Sequence, residues 1–214
     1  MADKGFEQLT VLDHPLITHK MSILRSQETG CKKFRELVRE ITQLEVYEAT
    51  RGLPTQPCEI TTPLTTMRTR RLGDATPIIV PILRAGLGMV DGFFDLIPTS
   101  RVGFLGMYRN EETFQPVPYY EKLPGDLDVS PIFLLDPMLA TGGSGSAAVS
   151  FIKEQGGRNI VFMCIVAARP GVEALLAAHP DVQIFAAEFD EELTPNAYIT
   201  PGLGDAGDRL YGTL

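Results

Sequence analysis

The run Pro131-Ile-Phe-Leu-Leu-Asp136-Pro-Met-Leu-Ala-Thr141-Gly-Gly-Ser144-Gly-Ser-Ala-Ala148 limits the fold more than any other stretch of this chain. A short apolar run bounded by turn formers suits a strand buried on both faces. Small residues follow it, and a helix start follows them. Such a strand–turn–helix unit belongs to a mainly parallel sheet with helices on both faces. The same order suits a sugar phosphate. Backbone N–H groups of a small-residue loop at a helix N-terminus bind phosphate, and the helix dipole favours its charge. Asp136 stands at the carboxyl end of the strand, where ligands sit in open α/β sheets, and a carboxylate there accepts hydrogen bonds from ribose hydroxyls.

Two commoner phosphate loops do not fit. A Walker A loop needs Gly-Lys-Ser/Thr, and here no lysine follows the glycines until Lys153. Gly143-Ser-Gly145-Ser-Ala-Ala148 matches the loose pattern G-x-G-x-x-A, which calls for an acid about 20 residues on. That region, Ile160–Ala168, holds none. The plain alternative is a tight turn with no ligand; Asp136 and the Thr141-Gly142-Gly143-Ser144 run weigh against it.

The rest of the chain repeats the strand–helix order. Residues 31–50 read as a helix, with Phe34, Leu37, Val38, Ile41, Leu44 and Tyr47 at steps of three and four. Strands are expected over 77–83, 102–107, 131–135, 160–168 and 182–189. Helices are expected over 86–96, from the loop to about Gln155, and over 172–178. Residues 110–128 hold three prolines and read as a loop or hairpin arm. The fold class is therefore α/β: a mainly parallel, doubly wound sheet flanked by helices, with an arm and N-terminal helices. One domain is expected over 1–214, with a helical segment over about 1–60, a core over about 77–190 and a tail over about 191–214. A chain of 214 residues buries roughly 70% of its unfolded surface in such a domain.

Charge and cysteine usage narrow the function. The net charge of −8 disfavours non-specific binding to nucleic acid or anionic membranes. A local basic pocket for an anionic substrate stays compatible with it. Cys31, Cys58 and Cys164 show no metal spacing, and their odd number fits a reducing compartment. Cys164, within an apolar run, reads as a buried small hydrophobe. There is no signal-peptide core and no apolar run near 18 residues, so cytoplasm is expected.

Three further segments stand out. Val80-Pro-Ile-Leu83-Arg84-Ala85-Gly86 runs a strand into a small-residue turn that presents one arginine, a planar fork of donors suited to diphosphate. Met107-Tyr108-Arg109 places a second arginine where a strand leaves the sheet edge; by composition alone this is a solvated charged turn. Tyr198-Ile199-Thr-Pro-Gly202-Leu-Gly204-Asp205-Ala206-Gly207-Asp208-Arg209 reads by itself as a flexible tail, although apolar residues continue to Leu210 and Tyr211. Asp190-Glu191-Glu192 reads as a solvated turn. His14, His19 and His179 join no Ser, Cys or Asp constellation, and His179, before Pro180, suits a helix end.

In order along the chain, the motifs resemble those of type I phosphoribosyltransferases. That family's loop usually carries two adjacent acids. Here Pro137 replaces the second, and Asp-Pro-Met-Leu-Ala-Thr-Gly-Gly is similar to the uracil phosphoribosyltransferase branch. The Tyr-Ile-x-Pro-Gly-Leu-Gly-Asp-Ala-Gly-Asp-Arg tail resembles that branch's uracil-binding segment, with Thr200 where relatives commonly have a β-branched aliphatic.

The resemblance implies conversion of uracil and 5-phospho-α-D-ribose 1-diphosphate to UMP and diphosphate in pyrimidine salvage. It assigns the phosphoribosyl diphosphate to Arg84, Arg109, Asp136, Pro137, Met138, Leu139, Ala140, Thr141, Gly142, Gly143, Ser144 and Asp205. Uracil falls to Ile199, Gly204, Asp205 and Ala206, and catalytic roles to Asp136, Arg84 and Asp205. The tyrosines Tyr119 and Tyr120 lie in an arm that resembles the family's flexible hood. The family often has a cis non-proline peptide at the Arg84 loop. Mg²⁺ is implied as a passenger on the diphosphate, with no metal site of the protein's own. A homodimer or larger homo-oligomer is expected, and GTP is carried as a candidate effector. The rival from another class is a phosphoribosyltransferase-like, RNA-binding regulator of pyrimidine genes. The net charge speaks against it. Purine and orotate branches usually keep both acids and lack this tail.

Overall fold

The computed structural model describes residues 5–109 and 116–213, with the side chains of Tyr108, Arg109 and Pro116 outside that description. A short strand β1 (Leu9–Val11) leads into helices α1 (Pro15–Arg25) and α2 (Cys31–Ala49). Strands β2 (Thr55–Thr61) and β3 (Thr66–Leu72) form a separate antiparallel hairpin. The expected helical segment over about 1–60 thus also contains β1 and the first hairpin strand. The alternating part runs β4 (Ile78–Leu83), α3 (Leu87–Leu96), β5 (Arg101–Val102), β6 (Phe104–Arg109), β7 (Pro116–Lys122), β8 (Ile132–Leu135) and β9 (Met138–Leu139). It continues with α4 (Gly143–Glu154), β10 (Ile160–Ala168), α5 (Arg169–Ala178) and β11 (Gln183–Asp190). The tail forms β12 (Glu192–Leu193), β13 (Ile199–Thr200) and α6 (Ala206–Tyr211).

The main sheet has the order β1-β11-β10-β8-β4-β6-β7. Its pairs are parallel except β6 with β7, which is antiparallel. The strand expected over 102–107 is broken at Gly103, where a Cβ would press into the Leu123 side chain at 2.7 Å. The arm expected over 110–128 contributes β7, and residues 110–115 lie outside the described residues.

Alternation along the central strands divides the core in two, because successive side chains of a strand point to opposite faces. Phe133 and Leu135 of β8 face the layer of α1, α2, α3 and α6, where Phe34, Phe93 and Leu210 are buried. Ile132 and Leu134 face α4 and α5, with Val149, Ile152 and Val172. Phe93 and Phe133 meet at 5.0 Å between ring centroids. Burial of each such side chain contributes roughly 1.5–3 kcal/mol. Helix α2 holds against α3 through Gly92, whose missing Cβ leaves room for Thr42, and through an Arg39–Asp95 fork at 2.6 Å.

The tail is not a solvated strand of chain. Ile199, Leu203, Ala206 and Leu210 are buried in the core of the first layer. Cys164 is buried as expected, and burial pushes its thiol well above the usual range. His179 ends α5, as its place before Pro180 suggests, but its ring also turns inward. Nε2 lies 3.0 Å from Ser146 O and 3.1 Å from Ser150 Oγ, tying α5 to α4.

Candidate active site

The strand order reverses between β4 and β8. From β4 the chain moves to β6 on one side; from β8 it moves through β10 to β11 on the other. Such a switch opens a crevice at the carboxyl ends of the strands. Arg84 follows β4 and Asp136 follows β8, so both stand at that crevice. They line one cavity of about 650 Å³ together with residues 138–145 of the loop and the tail residues Ile199, Gly204, Asp205 and Ala206. Among the lining residues, Asn196 and Ala197, between β12 and β13, had no role in the sequence reading, and Tyr198 entered it only as the start of the tail motif. The turn signal of Pro195-Asn196 marked their place, but not which way the turn would face.

Glycines set the shape of the loop. Gly142 has φ +79°, and a Cβ there would lie 2.7 Å from Gly171 O. A non-glycine residue is strained in that region. Gly171 in turn gives the loop room, since its own Cβ would lie 2.6 Å from Ala140 O. The loop therefore rests on the start of α5. Gly86 brings the two strand-end turns together, because a Cβ there would collide with Leu135 O. Helix α4 begins without a side-chain cap and without an acid in its first turn. Its first N–H groups and the positive end of its dipole are left for an anion.

The individual side chains take different positions. Asp136 donates its N–H to Met163 O at 3.1 Å, and its Oδ1 lies 3.4 Å from the Met138 nitrogen. Pro137 is buried and points its carbonyl to Val166 N at 3.0 Å, so it supports the loop from the sheet side. Arg84 leaves 60% of its side chain exposed, with Asp208 the nearest carboxylate at 3.8 Å. The peptide Leu83–Arg84 is cis. Tyr211 donates its hydroxyl to Arg84 O at 3.0 Å, and burial pushes that phenol up, so it stays a donor. Asp205 caps α6, accepting the Asp208 N–H at 2.9 Å. The side chain of Arg109 lies outside the described residues; its backbone ends β6. Tyr119 and Tyr120 are about half exposed, and the Tyr119 ring lies over Gly106.

Asp190 corrects the reading of a solvated acidic turn. It is 7% exposed and forms a forked ion pair with Arg25 at 2.8 and 3.0 Å. Its neighbour Glu191 pairs with Arg169 at 2.6 Å. No group of three or more His, Cys, Asp or Glu side chains suited to a metal occurs among the described residues.

The glycine loop and carboxylate at the switch point, the arginine on the adjacent loop and the tail thus meet at one cavity. Adenine phosphoribosyltransferase from Trypanosoma brucei shares this fold, with a TM-score of 0.58 at 14% identity, covering 87% of this chain and 85% of that one. A solved protein from Aquifex aeolicus superposes with a TM-score of 0.91 at 38% identity, covering 96% of this chain and 98% of that one. The family model described as uracil phosphoribosyltransferase matches residues 11–213. Uracil phosphoribosyltransferase from Symbiobacterium thermophilum is 56% identical over 206 residues, which is 96% of this chain and 99% of that protein. The one from Streptococcus salivarius is 56% identical over 203 residues, 95% of this chain and 97% of that protein. The chain belongs to the uracil phosphoribosyltransferase family.

Proposed function

We propose that this chain transfers the phosphoribosyl group of 5-phospho-α-D-ribose 1-diphosphate to uracil, giving UMP and diphosphate in pyrimidine salvage. The observation that carries this reading is one cavity lined both by the Thr141–Gly142–Gly143–Ser144 loop and by Ile199, Gly204, Asp205 and Ala206. A phosphate site and a base site facing each other are what phosphoribosyl transfer needs.

In this reading the loop N–H groups hold the 5′-phosphate and Asp136 the ribose hydroxyls. Arg84, with Arg109, takes the charge of the departing diphosphate. The C1′–O bond breaks, the electron pair leaves with the diphosphate, C1′ gains oxocarbenium character, and uracil N1 forms the new bond while its proton passes to water or to the departing diphosphate. Uracil offers an acceptor–donor–acceptor edge. Gly204, with φ +81°, lets backbone N–H and C=O groups approach that edge closely. Catalysis then rests on positioning two substrates and stabilising charge.

The hard oxygen donors Asp136 and Asp205 both line the cavity, a set that suits Mg²⁺ arriving on the diphosphate and keeping most of its water. The ion supplies charge neutralisation to the leaving group. We further propose a homo-oligomer, GTP as its effector and the cytoplasm as its location; no helix among the described residues is long and apolar enough to cross a membrane. Parallel turnover of uracil, cytosine, hypoxanthine and orotate with Mg²⁺, with and without GTP, tests the activity. Uracil alone is expected to react, and an inert uracil reaction sinks the reading.

A further inference from the structure

Gly202 is buried and has φ +55°. A buried backbone N–H and C=O need partners, and one ion pair supplies both. Asp190 Oδ2 accepts the Gly202 N–H at 2.9 Å, and Arg25 Nη1 donates to Gly202 O at 2.8 Å. Arg25 grips Asp190 as well, from Nη1 at 2.8 Å and Nη2 at 3.0 Å. The Asp190 side chain is 8% exposed and that of Arg25 21%. One guanidinium thus spans the end of α1, the end of β11 and the turn between Ile199 and Gly204. The next residue is held from the same corner. Arg209 donates to Leu203 O at 2.8 Å and to Ser26 O at 2.6 Å, with its guanidinium 4.4 Å from the Phe34 ring centroid. Neither Arg25 nor Asp190 lines the cavity.

We infer that Arg25 and Asp190 are positioning residues for base recognition: their ion pair sets the backbone that reads uracil, without touching the base. The inference rests on the reading of residues 199–206 as the uracil site. A backbone reader has no side-chain rotamers with which to correct an error. Its donors and acceptors are only as accurate as the turn that carries them. The pair suits the task because a guanidinium fork holds two acceptors in fixed geometry, which an ammonium does not. Removing Arg25 leaves the buried Asp190 carboxylate without its cation, removing Asp190 leaves Arg25 only Glu188 at 3.9 Å, and either change releases one side of Gly202.

Steady-state kinetics of the full chain and of Arg25→Lys, Arg25→Gln and Asp190→Asn test this, with uracil and cytosine as bases. The KM for uracil should rise about tenfold or more in Arg25→Gln and Asp190→Asn, as the loss of a charged hydrogen bond implies. It should rise less in Arg25→Lys. The preference for uracil over cytosine should fall, while the KM for phosphoribosyl diphosphate stays within about twofold of wild type. A lower melting temperature with an unchanged uracil KM would mean a merely structural pair and overturns the inference. Should the two neutralising variants fail to fold, Arg25→Lys decides by the same split, and an unchanged uracil KM again overturns it. A wild-type chain that turns over no uracil instead removes the reading beneath; a working wild type with unaltered variants removes this inference alone.

Discussion

Asp136, at the end of β8, and Glu45, on α2, both carry carboxyl groups, and their surroundings give them opposite tasks. Asp136 is half-buried at the cavity. In the proposed reaction it accepts from ribose hydroxyls, so Asp136→Asn should lower kcat/KM for phosphoribosyl diphosphate roughly 10- to 100-fold, the loss of one charge-assisted bond. Full activity with unchanged affinity for that substrate would remove its role. Glu45 is fully buried on α2, and among the described residues neither of its oxygens has a hydrogen-bond partner. Burial pushes its carboxyl well above 4.5. The folded chain therefore keeps a proton that the unfolded chain releases above about pH 4.5. The unfolded state then binds fewer protons, so this group costs stability progressively as pH rises from there towards the raised folded value. Glu45→Gln should match wild type near pH 4 and melt at increasingly higher temperature than wild type as pH rises above 4.5 towards the raised folded value. Parallel melting curves across that range check it, and a gap that does not grow with pH refutes it. The sequence marks Asp136 by its place after an apolar strand. Glu45 was invisible in it, because a charge on an amphipathic helix ordinarily faces water and only the packing of α2 turns this one inward.

At the scale of elements, the strand–loop–helix unit was readable because its signals are local. An apolar run, glycines and a helix start act within a few residues. The helix expected over 31–50 formed as Cys31–Ala49 for the same reason. The hairpin of β2 and β3 was missed: its residues are mostly polar and its partner strand is its own neighbour. The loop geometry gives a direct test. Gly142→Ala forces a Cβ into the left-handed region, at about 1–2 kcal/mol, and against Gly171 O. We expect a lower melting temperature and a loss of phosphoribosyl diphosphate binding, measured by calorimetry. The uracil KM should change less, since α6 and its cap are separate from this turn. Unaltered phosphoribosyl diphosphate affinity would mean that the loop does not hold the phosphate.

Among the described residues, the long hairpin strands β2 and β3 pair with each other and not with the main sheet, and Ile60, Leu64, Met67 and Leu72 are exposed, Leu64 at 95%. An isolated two-stranded hairpin is marginal in water, so this arm is the proposed contact between copies. Replacing residues 55–72 with a short Gly/Ser linker should give a monomer by sedimentation; an unchanged mass would place the contact elsewhere. The sequence alone determined the class of fold, the glycine loop and the placing of Arg84 and Asp136 at strand ends, because each is written in neighbouring residues. The tertiary structure decided what depends on distant ones. It folded a Gly/Pro-rich tail into the core through Leu203, Ala206 and Leu210, and fixed Gly202 between Arg25 and Asp190, partners 165 residues apart. Local propensity gives such a segment no preferred path. Its path follows from burial of apolar side chains and from the need to pair every buried backbone group, and both are properties of the assembled molecule.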